Sequence, residues 1–389
     1  MRTKSWCSRI QGTATLDGLD SATAPRTTLW AYTPETAAKH QVLRGYLEAW
    51  LPILGTKAGR IVLIDGFAGP GRYVTGEPGS PLVMLDALLS HRALDSITAE
   101  VVFVFMEKDA GRVAHLQKEL GAIALPARVK VSVLHGYFHE LIGPVLDDIE
   151  NRGQKLAPTF AFIDPFGYRD TRLDLSSRIL GHPRCEVLIY VPVPFIARFI
   201  DAQTVPADAL DMLYGDDRWR QAQNLGSAAN AERSLTDLLL ERLHEDCEHV
   251  RSFEIVGSGP NNGATLFFGT NHPIGLARMK ESMWKTDPAS GTSFKDSTRE
   301  GQIALFEPAP DVQLLERLLH ERFGTSVFRI EDALDHVVLA TPFIKSHVKT
   351  RTLKPAEAAG RIEVVEASGT RRAGTFPDGT RLRFIDESP

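Results

Sequence analysis

Residues Gly59–Gly71 read GRIVLIDGFAGPG, and the rest of the chain is best understood outward from them. Ile61 to Ile64 are apolar without alternation, the pattern of a strand covered on both faces, as in a parallel sheet. Asp65 ends that run, and glycines at 66, 69 and 71 follow at once. Such a turn lets the backbone approach a ligand that any Cβ would exclude. A strand leading into an acid and a glycine-rich turn predicts a ligand at the carboxyl edge of an α/β sheet.

The pattern repeats along the chain. AEVVFVFMEKD, VKVSVLHGYF, TFAFIDPFG and CEVLIYVPV are strand-like, and helical patterns separate them at PLVMLDALLS, AGRVAHLQKEL, LIGPVLDDIENRG and about 172–180. Alternation of this kind predicts a doubly wound, mostly parallel sheet. A helical region over about 208–247 follows, and then RSFEIVGS and GATLFFGT flank the turn signal GPNNG, which predicts a hairpin. A five-stranded parallel core closed by an antiparallel edge hairpin, seven strands in all, is the Rossmann-like sheet of class I S-adenosylmethionine-dependent methyltransferases. Upstream, AAKHQVLRGYLEAWLPIL puts Val42, Leu43, Tyr46, Leu47, Trp50 and Leu51 on one helical face.

At 389 residues the chain is long for a single core, so a second domain is expected. Residues 1–30 lack periodicity and read as a flexible arm. The α/β domain is expected over 31–287, including a helix at PIGLARMKESMWK, and a polar linker over 288–309. From 310 to 389, three helical patterns and a two-stranded hairpin follow the order of a winged helix-turn-helix domain. Pro355 is expected to stop or kink the third of those helices near Lys354.

The formal net charge of −5 gives no overall basic field, so a nucleic acid would have to meet a local patch. Residues 341–383 carry nine basic against four acidic side chains. Lys345, Lys349 and Arg351 fall on the third helix, and Arg371 and Arg372 in the wing, as candidate nucleic-acid contacts. The cysteines Cys7, Cys185 and Cys247 are far apart and suggest neither a zinc site nor a disulfide framework. No signal-peptide run and no membrane-length apolar stretch occurs, so a cytoplasmic location is expected.

The strand ends carry the candidate chemistry. Asp65 is placed to meet a cationic amino group, and Phe67, Ala68, Gly69 and Gly71 to pack on the methionine part of S-adenosyl-L-methionine. Glu107 ends the second strand, where an acid accepts hydrogen bonds from ribose hydroxyls. Gly136, Tyr137 and Phe138 follow the third strand, as candidate contacts to adenine. His135 and His139 stand four apart without other ligands nearby, a poor metal site. The fourth strand ends in Asp164-Pro165-Phe166-Gly167. An Asp carboxylate and the next carbonyl, both accepting from an amino group, orient its lone pair and stabilise the charge that forms on nitrogen. An aromatic ring, Phe166 or Tyr168, would stack on the base.

The set KHQVLRGYLEAWLPIL, LIDGFAGPGRY with GEPGSPL, FVFMEKD, FAFIDPFGY, GTNHPIGLARMKESMWK and TPF…LKPAEAAGRIEV closely resembles the three-Cys-motif partner protein (TcmP) family over nearly all of the chain beyond residue 30. That resemblance implies a phage-related three-Cys-motif protein as partner. A more distant likeness is to bacterial 23S ribosomal RNA adenine-N6 methyltransferases. Its counterparts here are Lys39-His40, Pro78-Gly79-Ser80-Pro81, Gly136-Tyr137-Phe138 and Ile163-Asp164-Pro165-Phe166, and it implies cofactor contacts by Lys39, His40 and Ser80. The chain departs from that pattern where Pro-Tyr becomes Phe-Gly.

Together these features lead us to expect an S-adenosylmethionine-dependent methyltransferase acting on an amino group of a DNA or RNA base, adenine-N6-like. The alternatives are a cofactor-binding but non-catalytic nucleic-acid or protein adaptor, and a methyltransferase for a small molecule or protein.

Overall fold

The computed structural model describes residues 27–202, 205–257, 263–295, 309–367 and 370–385. Most of the arm expected over 1–30, with Cys7, and most of the linker expected over 288–309 lie outside them. The chain divides into two compact units, Met1–His272 and Pro273–Pro389.

In the first unit, helix α1 (Pro34–Gly55) starts where the Thr33 hydroxyl accepts the Thr36 N–H at 3.2 Å and Pro34 fills a position that needs no donor. Its buried face includes the expected Val42, Leu43, Tyr46, Leu47, Trp50 and Leu51. The buried residues of α1 also include Glu35, Lys39 and His40, which places three polar side chains inside the fold.

Strands β1 (Arg60–Asp65), β2 (Glu100–Glu107), β3 (Val129–His135), β4 (Thr159–Ile163), β5 (Glu186–Val191), β6 (His249–Val256) and β7 (Ala264–Thr270) lie in the order β3-β2-β1-β4-β5-β7-β6. The pairings among β1 to β5 are parallel, whereas β7 is antiparallel to both β5 and β6. This is the class I methyltransferase sheet expected from the pattern. Asp65 pairs in register with Phe105 and Phe162, and Glu107 with His135, so the acids of β1 and β2 stand on one carboxyl edge.

The connections are α2 (Ser80–Leu89), α3 (Ala110–Gly121), α4 (Phe138–Asn151) and α5 (Leu173–Leu180). After β5 comes α6 (Val193–Phe199), which the sequence pattern did not reveal. The helical region expected over 208–247 is broken into α7 (Ala207–Tyr214), a 3-10 turn (Arg218–Ala222) and α8 (Ala228–Asp246). Gly215 (φ +80°) ends α7 in the left-handed backbone, and Gly226 (φ +77°) lies in the loop just before the Ser227 cap of α8.

In the second unit, α9 (Pro273–Thr286) packs with α11 (Ile330–Ala340), so the helix expected to close the first domain belongs here. The cause is Lys280. It is 2% exposed and donates to the carbonyls of Val337, Val338 and Thr341 at 2.8–2.9 Å, a cation on the negative end of α11. Trp284 adds a hydrogen bond to the Pro342 carbonyl at 2.8 Å. Helix α10 (Val312–Phe323), a short strand Phe328–Arg329, α11, a helical run and the hairpin strands Ile362–Glu366 and Arg381–Phe384 complete the unit.

The helical run over 345–358 does not stop at Pro355, but its geometry changes where a stop or kink was expected, at Leu353–Lys354. Val348–Leu353 form a π-helix, and Lys354–Ala358 return to α-helix. The wider turn removes the clash between the proline ring and the preceding carbonyls. Within it, the Thr352 hydroxyl donates to the His347 carbonyl at 3.0 Å.

Replacing Lys280 by Met should destabilise the second unit by about 2–4 kcal/mol, since buried carbonyls lose their donor. Urea unfolding followed in the full chain measures this, and an unchanged transition would contradict the role given to Lys280.

Candidate functional site

A cavity of about 220 Å³ opens at the carboxyl edge of β1, β4 and β5. Its wall includes Phe67, Ala68, Gly69 and Gly71 of the glycine-rich turn, Ser80 at the start of α2, and Asp164, Pro165, Phe166 and Gly167 after β4. Gly69 (φ +61°) and Gly71 (φ +86°) adopt the left-handed backbone that side chains resist. The Pro-Gly-Ser-Pro loop closes on this turn: Gly79 N–H donates to the Gly71 carbonyl at 2.7 Å, and a Cβ on Gly79 would stand 3.1 Å from that backbone.

Asp65 is fully buried. Its Oδ1 accepts the Phe67 N–H at 3.1 Å, while its Oδ2 has no hydrogen-bond partner among the described residues. Burial pushes this carboxyl up to about 7, against the opposing pull of Ser80 and the Phe67 N–H. Asp65 itself is not part of the cavity wall, whereas Phe67, whose N–H it accepts, and Ser80 are.

Opposite stands Asp164, whose carboxylate forms an ion pair with Lys39. The Lys39 ammonium also lies 4.5 Å from the centre of the Tyr190 ring, at the end of β5. Lys39 therefore orients Asp164 and borders the cavity in the same position. His40 does not line it. It packs between Tyr32 and Tyr73, with ring centres 5.9 and 6.0 Å away, and burial lowers its pKa to about 3, so it is neutral.

The three expected adenine-side residues also stand outside the cavity wall. Phe138 is core, its ring 5.8 Å from Phe67, and it fills the space a Cβ on Gly66 would need. Tyr137 lies under the Lys108 ammonium at 5.1 Å, and Gly136 N–H donates to the Glu107 carbonyl at 3.0 Å. Of the two rings expected to stack on a base, Phe166 faces the cavity. Tyr168 is buried in the core against Phe195, so it is corrected to a supporting position.

Glu107 is at the expected strand end, 4% exposed. Its oxygens accept the Gly69 N–H at 2.9 Å and the Asp109 N–H at 2.8 Å, and Arg112 Nη1 lies 3.9 Å away. Burial raises its pKa. Arg112 in turn lies 5.0 Å from the Trp30 ring and 5.2 Å from the Phe166 ring, and Trp30 meets Phe166 edge-on at 4.7 Å. Trp30 sits over Gly69, and its carbonyl accepts the Val74 N–H at 3.0 Å.

Trp30, Arg112, Tyr73 and Tyr190 escaped the sequence reading. Trp30 lies in the aperiodic arm, and Tyr190 is one residue in an apolar strand. For Arg112 the only signal is its place in the first turn of α3, three residues after Asp109, which caps the helix by accepting the Arg112 N–H.

In the second unit, Lys345 pairs with Asp335 at 3.0 Å and Lys349 with Asp378 at 3.5 Å. Arg351 and Arg372 are exposed. Arg371 is engaged internally instead: it forms an ion pair with Glu357 and donates to the Thr375 carbonyl at 2.9 Å, while Glu357 also accepts the Gly374 N–H at 2.8 Å. Its contribution is to hold the loop between the two hairpin strands.

No protein-family model matches the chain, and no curated protein does. Among solved structures, similarity is found to Trm1 from Pyrococcus horikoshii with S-adenosyl-L-methionine, at 13% identity over 91% of each chain and a TM-score of 0.37. An O-methyltransferase from Bacillus cereus in complex with SAH is 16% identical, over 62% of this chain and 83% of that one, with a TM-score of 0.32. Spermidine synthase in complex with the transition-state analogue AdoDATO is 13% identical, over 65% and 67%, with a TM-score of 0.32.

The pKa of Asp65 predicts a pH dependence. Its folded value of about 7 lies above the ordinary 3.8, so the folded state holds a proton that the unfolded state releases between those values. This contribution to stability is fully present below about pH 4 and is lost as pH rises through 7. Asp65→Asn should therefore raise the thermal midpoint at pH 8 but not at pH 4. Equal shifts at both would contradict the protonated, buried state.

Proposed function

We propose that this chain is an S-adenosylmethionine-dependent methyltransferase acting on an exocyclic amino group of a nucleic-acid base. The observation that carries the proposal is the shared cavity: the Asp164-Pro165-Phe166 turn and the turn after Asp65 are two walls of one space. Bound there, the cofactor supplies an electrophilic methyl group. Asp65 and Ser80 would hold its amino-acid end, with the Gly69 and Gly71 backbone against it, and Glu107 is the residue at the strand end suited to its ribose.

Asp164 then acts on the substrate. Its carboxylate accepts a hydrogen bond from the base amino group, which turns the nitrogen lone pair away from the ring and stabilises positive charge as it develops. Lys39 fixes the carboxylate through their ion pair. Phe166 offers the ring on which a base stacks. Gly167, with φ +95°, turns the chain away immediately after it.

The second unit runs helix, strand, helix, helical run and hairpin, which supports a winged helix as the delivery module. Lys345, Lys349, Arg351 and Arg372 would meet the phosphates, whereas Arg371 would not. Family membership among the three-Cys-motif partner proteins, and a phage-related three-Cys-motif protein as partner, belong to the same proposal. The ion pair on Asp164 favours a second reading, a cofactor-binding adaptor that does not turn over.

Transfer of tritiated methyl groups to DNA, RNA and protein fractions decides between them. Label should enter a nucleic-acid fraction and fall by about 10²–10³ in Asp164→Ala, the scale of losing a charge-stabilising partner. Label in protein alone, or label undiminished in Asp164→Ala, would overturn the proposal. Cofactor binding with no label in any fraction would establish the adaptor.

A further inference from the structure

We propose that the outer face of α6 holds the nucleotides flanking the target base, so that the first unit carries a single-strand platform of its own beside the catalytic cavity. This rests on the methyltransferase reading and names the substrate surface of the same site. Helix α6 buries Val193, Ile196 and Ala197, and Ile200 is buried just beyond it. Its other side carries Phe195 and Phe199, both half-buried, and the exposed Arg198.

An ordinary surface helix turns polar residues outward. Here two half-buried aromatic rings, packed against the core, stand with centres 5.0 Å apart and planes at 53°. The Arg198 guanidinium lies 5.6 Å from the Phe199 ring centre. The buried Tyr168 packs on Phe195 at 6.2 Å, and the exposed Arg169 reaches the Tyr168 hydroxyl. The partly accessible rings are therefore Phe195 and Phe199, with Arg198 and Arg169 near them. The neighbouring acid Asp201 accepts the Asn224 N–H at 3.1 Å.

The location connects these rings to the chemistry. Tyr190, which lines the cavity, stands three residues before α6, and Tyr168 is four residues beyond Asp164. Bases stack on aromatic faces irrespective of sequence, and arginines pair with the phosphates between them. An extended single strand with one base in the cavity matches that chemistry. A duplex, whose bases are already stacked, does not.

The test uses the full chain and short, fluorescently labelled single-stranded RNA and DNA oligonucleotides, titrated in the presence of S-adenosylmethionine. Phe199→Ala and Phe199→Leu should each weaken binding about fivefold to hundredfold, and Phe199→Trp should restore it, because the π-face and not the volume is required. Arg198→Gln should lower the slope of log affinity against log salt by about 0.7, the loss of one phosphate contact. Unchanged S-adenosylmethionine affinity in each variant shows that the fold is intact. Wild-type binding that all these variants share would overturn the α6 platform while leaving the methyltransferase reading in place. Failure of the wild type to bind either oligonucleotide, with methyl label entering protein only, would remove both.

Discussion

A carboxylate in the middle of the sheet organises this structure. Asp65 is fully buried, one of its oxygens has no hydrogen-bond partner among the described residues, and the strand that carries it is the central one from which both wings of the sheet extend. A charge in that position is unfavourable unless a cation meets it, and burial alone drives the carboxyl toward its neutral form. The glycine-rich turn, the loop before α2 and the turn after β4 gather at the same edge of the sheet, where Lys39 is held by Asp164.

That division of charge explains the asymmetry of the site. One carboxylate is fully buried and the other is ion-paired with Lys39, each at a different strand end. The aromatic wall is equally divided: Phe166 comes from the catalytic turn, Trp30 from the segment before α1, and Arg112 lies against both rings. Arg112 also approaches Glu107, so the ribose-side acid and the substrate-side ring share one guanidinium.

Much of this was legible from the residues. The strands, their parallel order and the edge hairpin follow from uninterrupted apolar runs, because a strand buried on both faces leaves that pattern and little else does. Asp65, Glu107 and Asp164 were legible as acids at strand ends. What could not be read depends on contacts distant in sequence. His40 and Phe138 look like site residues by motif, but their rings are used in packing. Tyr168 lies close enough to Asp164 to stack on a base, yet its ring faces the core. Helix α9 follows β7 as though it closed the first domain, and only the burial of Lys280 among the α11 carbonyls assigns it to the second. Arg371 reads as a wing contact until Glu357 is seen to hold it.

The central claim is that Asp65 receives the cationic amino group of S-adenosylmethionine. Because its carboxyl titrates near 7, binding must expel a proton from it. Calorimetric titration of the wild type with S-adenosylmethionine at pH 6.5, in buffers of different ionisation enthalpy, measures that proton directly. The account predicts a release of more than about half a proton per ligand in the wild type and none from this position in Asp65→Asn, which should also bind more weakly. Binding with no buffer dependence, or with the same proton release in both proteins, would contradict it.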